Sequence, residues 1–150
     1  MPVEVIRLSE KKYVGVPVTV SFENLDQERI RRAKQLFMEQ KDKIKYALQE
    51  EHYTCAFLAN DVLFTYIYSL EVSQIHEMPV GMIGYTVPEQ TYVKVHSPLQ
   101  DPYDLIHTYL LENELEADKS SLAFEVFAVG IEEHAHTADV YVPILSRESV

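Results

Sequence analysis

Residues Glu10-Lys11-Lys12-Tyr13-Val14-Gly15-Val16 recur as Glu89-Gln90-Thr91-Tyr92-Val93-Lys94-Val95, so the pattern Glu-x-x-Tyr-Val-x-Val occurs once in each half of the chain. The surroundings repeat as well. Each copy follows a short extended stretch and precedes a helical segment and two further strand-like runs, giving strand, strand, helix, strand, strand twice over. A unit of that size cannot bury its apolar face alone and must bury it against its twin. The repeat therefore predicts an α+β fold: one domain, 1–150, of duplicated strand-helix-strand-strand units, about 1–75 and about 80–150, related by an approximate two-fold axis. Antiparallel sheets would form the floor of a central cleft, with two helices outside. Concave sites concentrate at such interfaces, so the cleft is where a ligand is expected.

Val3 to Leu8 and Lys12 to Phe22 alternate as strands, with Val14, Val16, Val18, Val20 and Phe22 on one face. Pro17 cannot donate to a ladder, which places it at a sheet edge or a bulge. Asn24 and Gln27 have the spacing of a capping box, and the helix it would open carries Ile30, Ala33, Phe37, Ile44 and Leu48 on one stripe. Arg29, Arg31, Arg32, Lys34, Lys41, Lys43 and Lys45 lie on its other faces, a pattern that reads as a solvated helix surface. Tyr53 to Ala59 and Val62 to Val72 form a strand pair turned at Asn60-Asp61, with Val62, Phe64, Tyr66, Tyr68 and Leu70 sharing a face. Ser73 to Pro79 reads as a linker. Asp101-Pro102 starts a second helix that carries Ile106, Tyr109, Leu110 and Asn113 along one side, and Asp139 to Ile144 is a closing strand.

The stretch Leu122 to Val129 is the most demanding. Alternation puts Leu122, Phe124, Val126 and Ala128 on one face and Ala123, Glu125, Phe127 and Val129 on the other, leaving Glu125 as the only charge. A carboxylate taken out of water is costly unless something compensates it. Glu125 therefore lies at an edge, pairs with a protein cation, stays protonated or faces a pocket.

Composition narrows the function classes. With 24 acidic against 13 basic residues the net charge is -11, which repels phosphate backbones and favours cationic partners, so direct nucleic-acid binding is not expected. The lone Cys55, in an apolar context, reads as a small buried side chain. The absence of a signal peptide or a long apolar run points to a cytoplasmic protein with no membrane partner. In Glu132-Glu133-His134-Ala135-His136 the imidazoles stand two apart, but no third ligand follows at a recognisable spacing; no metal and no cofactor are expected. Four glycines form no phosphate loop, and no nucleophile motif is present. Of the ten tyrosines, Tyr66, Tyr68, Tyr92 and Tyr141 outnumber what a small core usually satisfies, so pocket lining is as good a reading for each as core.

Lys12-Tyr13-Val14-Gly15-Val16, Thr65 to Val72, Val87 to Val95, Phe124-Glu125-Val126-Phe127 and Val140 to Ile144, in this order and spacing, resemble the gyrase-inhibitor-like (GyrI-like) small-molecule-binding domain. That family occurs alone and as the effector-binding module of bacterial transcription activators. The resemblance implies a central cleft in which a glutamate at position 125 faces aromatic walls that hold lipophilic, often cationic, ligands. The implied ligand-binding set is Glu125, Phe127, Tyr66, Tyr68, Tyr92, Tyr109 and Tyr141. This chain has no tryptophan where the family often carries it in the second helix, having Ile106, Tyr109 and Leu110 there. It also has Ser69-Leu70 and Phe127 where many members have an alanine-glycine pair and a tyrosine, which implies a bulkier cleft with fewer hydrogen bonds. Both helices belong to the repeats, so any role in transcription regulation is expected to run through a separate protein.

Three functions follow from the resemblance. The first is a stand-alone sensor or sequestering module for a lipophilic, cationic small molecule, with Glu125 as counter-charge. The second is a hydrolase of strained cyclopropane-type compounds, with Glu125 as general base and a tyrosine assisting. The third, by analogy alone, is an inhibitor that binds a protein partner such as DNA gyrase.

Overall fold

The computed structural model describes residues 3–145. Strands β1 (Val3–Leu8), β2 (Lys11–Ser21), β3 (His52–Ala59), β4 (Leu63–Val72), β5 (Ile83–Val87), β6 (Gln90–His96), β7 (Ala123–Ala128) and β8 (Asp139–Pro143) form one antiparallel sheet, on which helices α1 (Gln27–Gln40) and α2 (Pro102–Glu112) lie. The fold is α+β, with one continuous sheet. Its order, β1-β6-β8-β7-β3-β4-β2-β5, reads the same from either margin when each of β1 to β4 is exchanged with the strand four places later. Tyr13 and Tyr92 stand on corresponding strands, β2 and β6.

This order cannot lie flat. β1 and β2 are six strands apart, roughly 29 Å at about 4.8 Å per strand. Only Ser9 and Glu10 join them, and such a connection reaches at most about 11 Å. β5 and β6 are equally far apart and are joined by Pro88 and Glu89 alone. The sheet must roll until its margins approach, and the rings of Tyr13 on β2 and Phe124 on β7, three strands apart in the order, meet at 5.7 Å.

Rolling gives an outer and an inner face. On the outer face Val14, Val16, Val18 and Val20 form one core with Ala33 and Phe37 of α1, and the same core continues through Val93, Val95 and Val140 to Ile106 of α2. The inner face closes on itself through Tyr13, Ala56, Ile67, Val87, Tyr92 and Phe124. Gly15 permits the tightest approach: a Cβ there would stand 2.0 Å from the Tyr68 carbonyl oxygen of β4. Pro17 lies beyond the reach of β5, which pairs with β2 only along Lys11–Gly15, so one side of the strand is open where proline lacks its N–H.

The start and end of α1 differ from the sequence reading. Asp26 is the N-cap, its Oδ1 accepting from the Arg29 N–H at 3.2 Å, while the Asn24 N–H is used in a turn to the Ser21 carbonyl. The helix stops at Gln40 because the positions three and four beyond Phe37 are Gln40 and Lys41, which offer nothing to bury. Ile44 is buried after a 3-10 turn, and Leu48, off the helix, is 57% exposed. Among the described residues no helix is long and apolar enough to cross a membrane.

Candidate functional site

On the outer face α1 packs on β2 and β4 while α2 packs on β6, β1 and β8, which leaves the two middle strands, β3 and β7, between the helices. A row of directly paired residues crosses them: Tyr68, Cys55, Glu125, Val140. Cys55, fully buried, is the smallest of the four. Its size leaves room above it for the long side chains on either side to meet.

They meet at Glu125. The Tyr66 hydroxyl, from β4, donates to Oε1 at 2.6 Å, and the Tyr103 hydroxyl, from the first turn of α2, donates to Oε2 at 2.6 Å. The cap that starts α2 aims Tyr103: Asp101 accepts from the Tyr103 N–H at 2.9 Å, and Pro102 holds the first helical position. Among the described residues no Lys, Arg or His nitrogen pairs with Glu125. β7 is the fourth of eight strands, so the edge explanation fails as well. Two neutral phenols compensate this carboxylate, and hydrogen bonds to a charged group contribute about 1.5–3 kcal/mol each.

Both phenols remain protonated at physiological pH. Burial, and after it the neighbouring Cys55 thiol and Glu125, pushes Tyr66 well above the usual tyrosine range; burial and then Glu125 do the same to Tyr103. Burial likewise pushes up the Cys55 thiol, so it is a packing residue.

Aromatic rings extend from this point outward. Tyr66 packs on Tyr68 at 5.2 Å, on Phe64 at 5.6 Å and on Phe57 at 6.1 Å, and Phe57 in turn meets Tyr103 at 6.5 Å. Phe64 continues to Phe22 at 6.2 Å, and Phe22 is 46% exposed. Phe127 shares the face of Glu125 two residues along and packs on Tyr53 at 5.7 Å. The Tyr53 hydroxyl donates to Glu133, which also pairs with Lys34 of α1 at 2.8 Å and so ties the following loop to that helix.

Of the seven residues expected at the site, Glu125, Tyr66, Tyr68 and Phe127 come together. Tyr92 and Tyr141 do not. Tyr141 pairs across from Phe124, the neighbour of Glu125, and so points to the inner face, where its ring meets Tyr92 at 6.2 Å. Alternation within a strand is visible in sequence, but the face on which two distant strands agree is set by register. Tyr109 is half-buried against the outer-face core, further along α2 than Tyr103. Sequence reading missed Tyr103 and Phe57. Tyr103 lies three residues before Ile106, the spacing of one helical face, and that signal was available. In the loop before β8 His134 caps a 3-10 turn by accepting from the His136 N–H, and no group of three His, Cys, Asp or Glu among the described residues is placed to hold a metal.

No family model matches the chain, and no curated protein matches it. Solved structures do. SAV2435 bound to tetraphenylphosphonium superposes with a TM-score of 0.66 at 14% identity, covering 97% of this chain and 94% of that one. An integron cassette protein from the mobile metagenome of Vibrio cholerae gives 0.66 at 12% identity, with 96% of each chain covered. The EcmrR C-terminal domain gives 0.63 at 11% identity, covering 95% of this chain and 94% of that one. The chain has the fold of these structures, the GyrI-like fold.

Proposed function

We propose that the chain is a single domain of two repeats that binds a lipophilic cation on the outer face between α1 and α2, as a sensor or sequestering module, with Glu125 as counter-charge. The observation that carries this reading is the carboxylate itself: Glu125 is compensated by two neutral hydroxyls and by no described cation, so its negative charge is still available to a ligand. The path of rings from Phe22 to Tyr66 and Tyr103 offers π-faces to such a ligand, each contributing about 0.5–2 kcal/mol to a desolvated cation. The net charge of -11 concentrates cations near the surface. The tetraphenylphosphonium held by SAV2435, a protein of the same fold, is of the chemical class proposed.

The test is Glu125→Gln, titrated with tetraphenylphosphonium and with neutral triphenylphosphine oxide. The variant should bind the cation about ten-fold or more weakly, close to 1.4 kcal/mol or above, while the neutral compound is unaffected. Its stability should fall by less than about 3 kcal/mol, the worth of the weakened phenol hydrogen bonds, since no buried cation is stranded. A stability loss of about 3–5 kcal/mol with equal binding of both compounds would mark Glu125 as structural and end this reading. The hydrolase alternative uses the same three side chains, Glu125 as base with Tyr66 or Tyr103 assisting. It requires product formation from a cyclopropane-bearing compound, abolished in Glu125→Gln while binding persists.

A further inference from the structure

The inner face holds a cavity of about 170 Å³ lined by Lys11, Tyr13, Thr54, Glu71, Phe124 and Tyr141, on the opposite side of the sheet from Glu125. Two observations show that it is built for more than packing. The Tyr13 hydroxyl lines it, on a residue only 4% exposed, and forms no hydrogen bond with any described residue; the same holds for the side-chain hydroxyl of Thr54, 9% exposed. No buried side-chain polar atom among the described residues lacks a partner, so these two hydroxyls are reached from the cavity and are open to whatever fills it. At the rim Lys11 Nζ and Glu71 Oε2 stand 3.2 Å apart, each side chain about a quarter exposed, so the cavity reaches solvent through an ion pair.

Water alone would answer the hydroxyls but would waste the rest of the wall, where Phe124, Val126, Tyr141 and Leu8 present apolar surface. An ion pair is neutral, so it gives a simple cation or anion no net attraction. A molecule carrying both charges one carbon apart is different, because it can lie antiparallel to the pair and complete a ring of four alternating charges. We propose that this cavity is a second ligand site, for an α-amino acid with a medium-sized apolar side chain. Its ammonium meets Glu71, its carboxylate meets Lys11, its side chain lies on Phe124 and Val126, and the Tyr13 and Thr54 hydroxyls supply the remaining polar contacts. An engineered apolar cavity of about 150 Å³ holds benzene, so a side chain of leucine size fits here with its head group at the rim.

The other half of the chain supplies a comparison within the same molecule. On β6 and β8 Pro143 stands across from Tyr92, as Glu71 stands across from Tyr13, and Gln90 occupies the place on β6 that Lys11 has on β2. The inner-face cavity there, about 220 Å³ and lined by Gln90, Tyr92, Ser120 and Ser121, has no ion pair and carries no such proposal.

The site does not depend on the cation reading, and the experiment keeps them apart. The wild-type protein is titrated with L-leucine, with 3-methylbutylamine, which lacks the carboxylate, and with 4-methylpentanoate, which lacks the ammonium. L-leucine should bind saturably, one per chain, with each half-molecule about ten-fold weaker or worse. Glu71→Gln and Lys11→Gln should each weaken L-leucine by a similar factor, Tyr13→Phe by a few-fold, and Glu125→Gln not at all. Amide resonances of Tyr13, Thr54 and Phe124 should shift on addition, and those of Tyr66 and Tyr103 should not. No saturable leucine binding, binding of either half-molecule as tight as that of L-leucine, or shifts centred on Tyr66 and Tyr103 would each overturn the proposal. If the ion-pair variants fail to fold, the three-compound comparison on wild type decides by itself.

Discussion

Several tyrosines on the two faces of this sheet are used in opposite ways. On the outer face the hydroxyls of Tyr53, Tyr66 and Tyr103 all donate to carboxylates, Glu133 for the first and Glu125 for the other two. On the inner face Tyr85 shares a hydrogen bond with Ser69, but Tyr13 and Tyr92 pack their rings in the core and leave their hydroxyls without a partner among the described residues. Burial alone pushes Tyr92 up to about 12, with no acceptor involved. The outer face is capped by helices, which can bring a donor such as Tyr103 down onto a buried charge. The inner face is closed by strands, whose side chains project at fixed spacing and leave gaps between the rings that meet there. One arrangement compensates a charge, and the other leaves cavities with polar walls.

The two faces share the fold at Gly15, and breaking it there gives the largest effect. Gly15→Ala places a Cβ 2.0 Å from the Tyr68 carbonyl oxygen, and backbone cannot swing aside as a side chain would. Overpacking of this kind costs about 1–3 kcal/mol in a core and should reach the top of that range or exceed it here. At about 2–4 °C per kcal/mol for a chain of this size, the midpoint should fall by roughly 10 °C. Melting within about a degree of wild type would mean that β2 and β4 are not forced together at this point and that the roll of the sheet does not depend on it.

Sequence made much of this architecture legible. The repeated Glu-x-x-Tyr-Val-x-Val did mark corresponding strands, and alternation correctly put Val14 to Val20 together and set Glu125 against Phe124. Local patterns of this sort survive because period and turn chemistry act within a few residues. What was lost needs register or reach. Tyr92 and Tyr141 share strand chemistry with Tyr66 and Tyr68 yet face the other way, since a strand's face is fixed by which neighbour it pairs with. Tyr103 was passed over because its partner lies 22 residues on, in another element. The end of α1 at Gln40 was misplaced because Ile44 is buried by a turn instead of by a helical stripe.

A smaller effect sharpens the contrast between the faces. Tyr66→Phe and Tyr103→Phe each remove one donor from Glu125 and should lower stability by about 1.5–3 kcal/mol. Tyr13→Phe removes a hydroxyl with no protein partner and should stay within about 0.5 kcal/mol of wild type. The Tyr103→Phe cost should nearly vanish in a Glu125→Gln background, the coupling expected of a direct contact. Denaturant titration of these three variants, of Glu125→Gln and of the Tyr103→Phe/Glu125→Gln double variant measures all of this. Equal losses for Tyr103→Phe and Tyr13→Phe would erase the distinction between the faces.

The smallest expected effect lies at the rim of the inner face, in the turn that leads into β7. Asp118 Oδ1 accepts from the Ser120 hydroxyl at 2.7 Å and Oδ2 from the Ser121 hydroxyl at 2.8 Å and Gln90 Nε2 at 3.3 Å, while its N–H bonds the Pro143 carbonyl at 2.8 Å. It thus ties β6, β8 and the start of β7 without an ion pair, where the other half uses Lys11 and Glu71. The Ser120 hydroxyl, and then that of Ser121, holds the carboxyl below its usual range. A carboxyl depressed in the folded state adds stability that is present above the unfolded value, about 3.9, and is lost as pH falls through the folded one. Because the group is partly exposed, solvent screening keeps this below about 1 kcal/mol. Asp118→Asn retains an acceptor oxygen and loses only the charge, so it should sit slightly below wild type at neutral pH and converge with it as the medium is acidified past the folded value. Urea midpoints of both proteins at neutral pH and at about pH 3, below the unfolded value, measure the gap. A gap of the same size at both would show that the turn is held by geometry alone and that the ionised form of Asp118 contributes nothing.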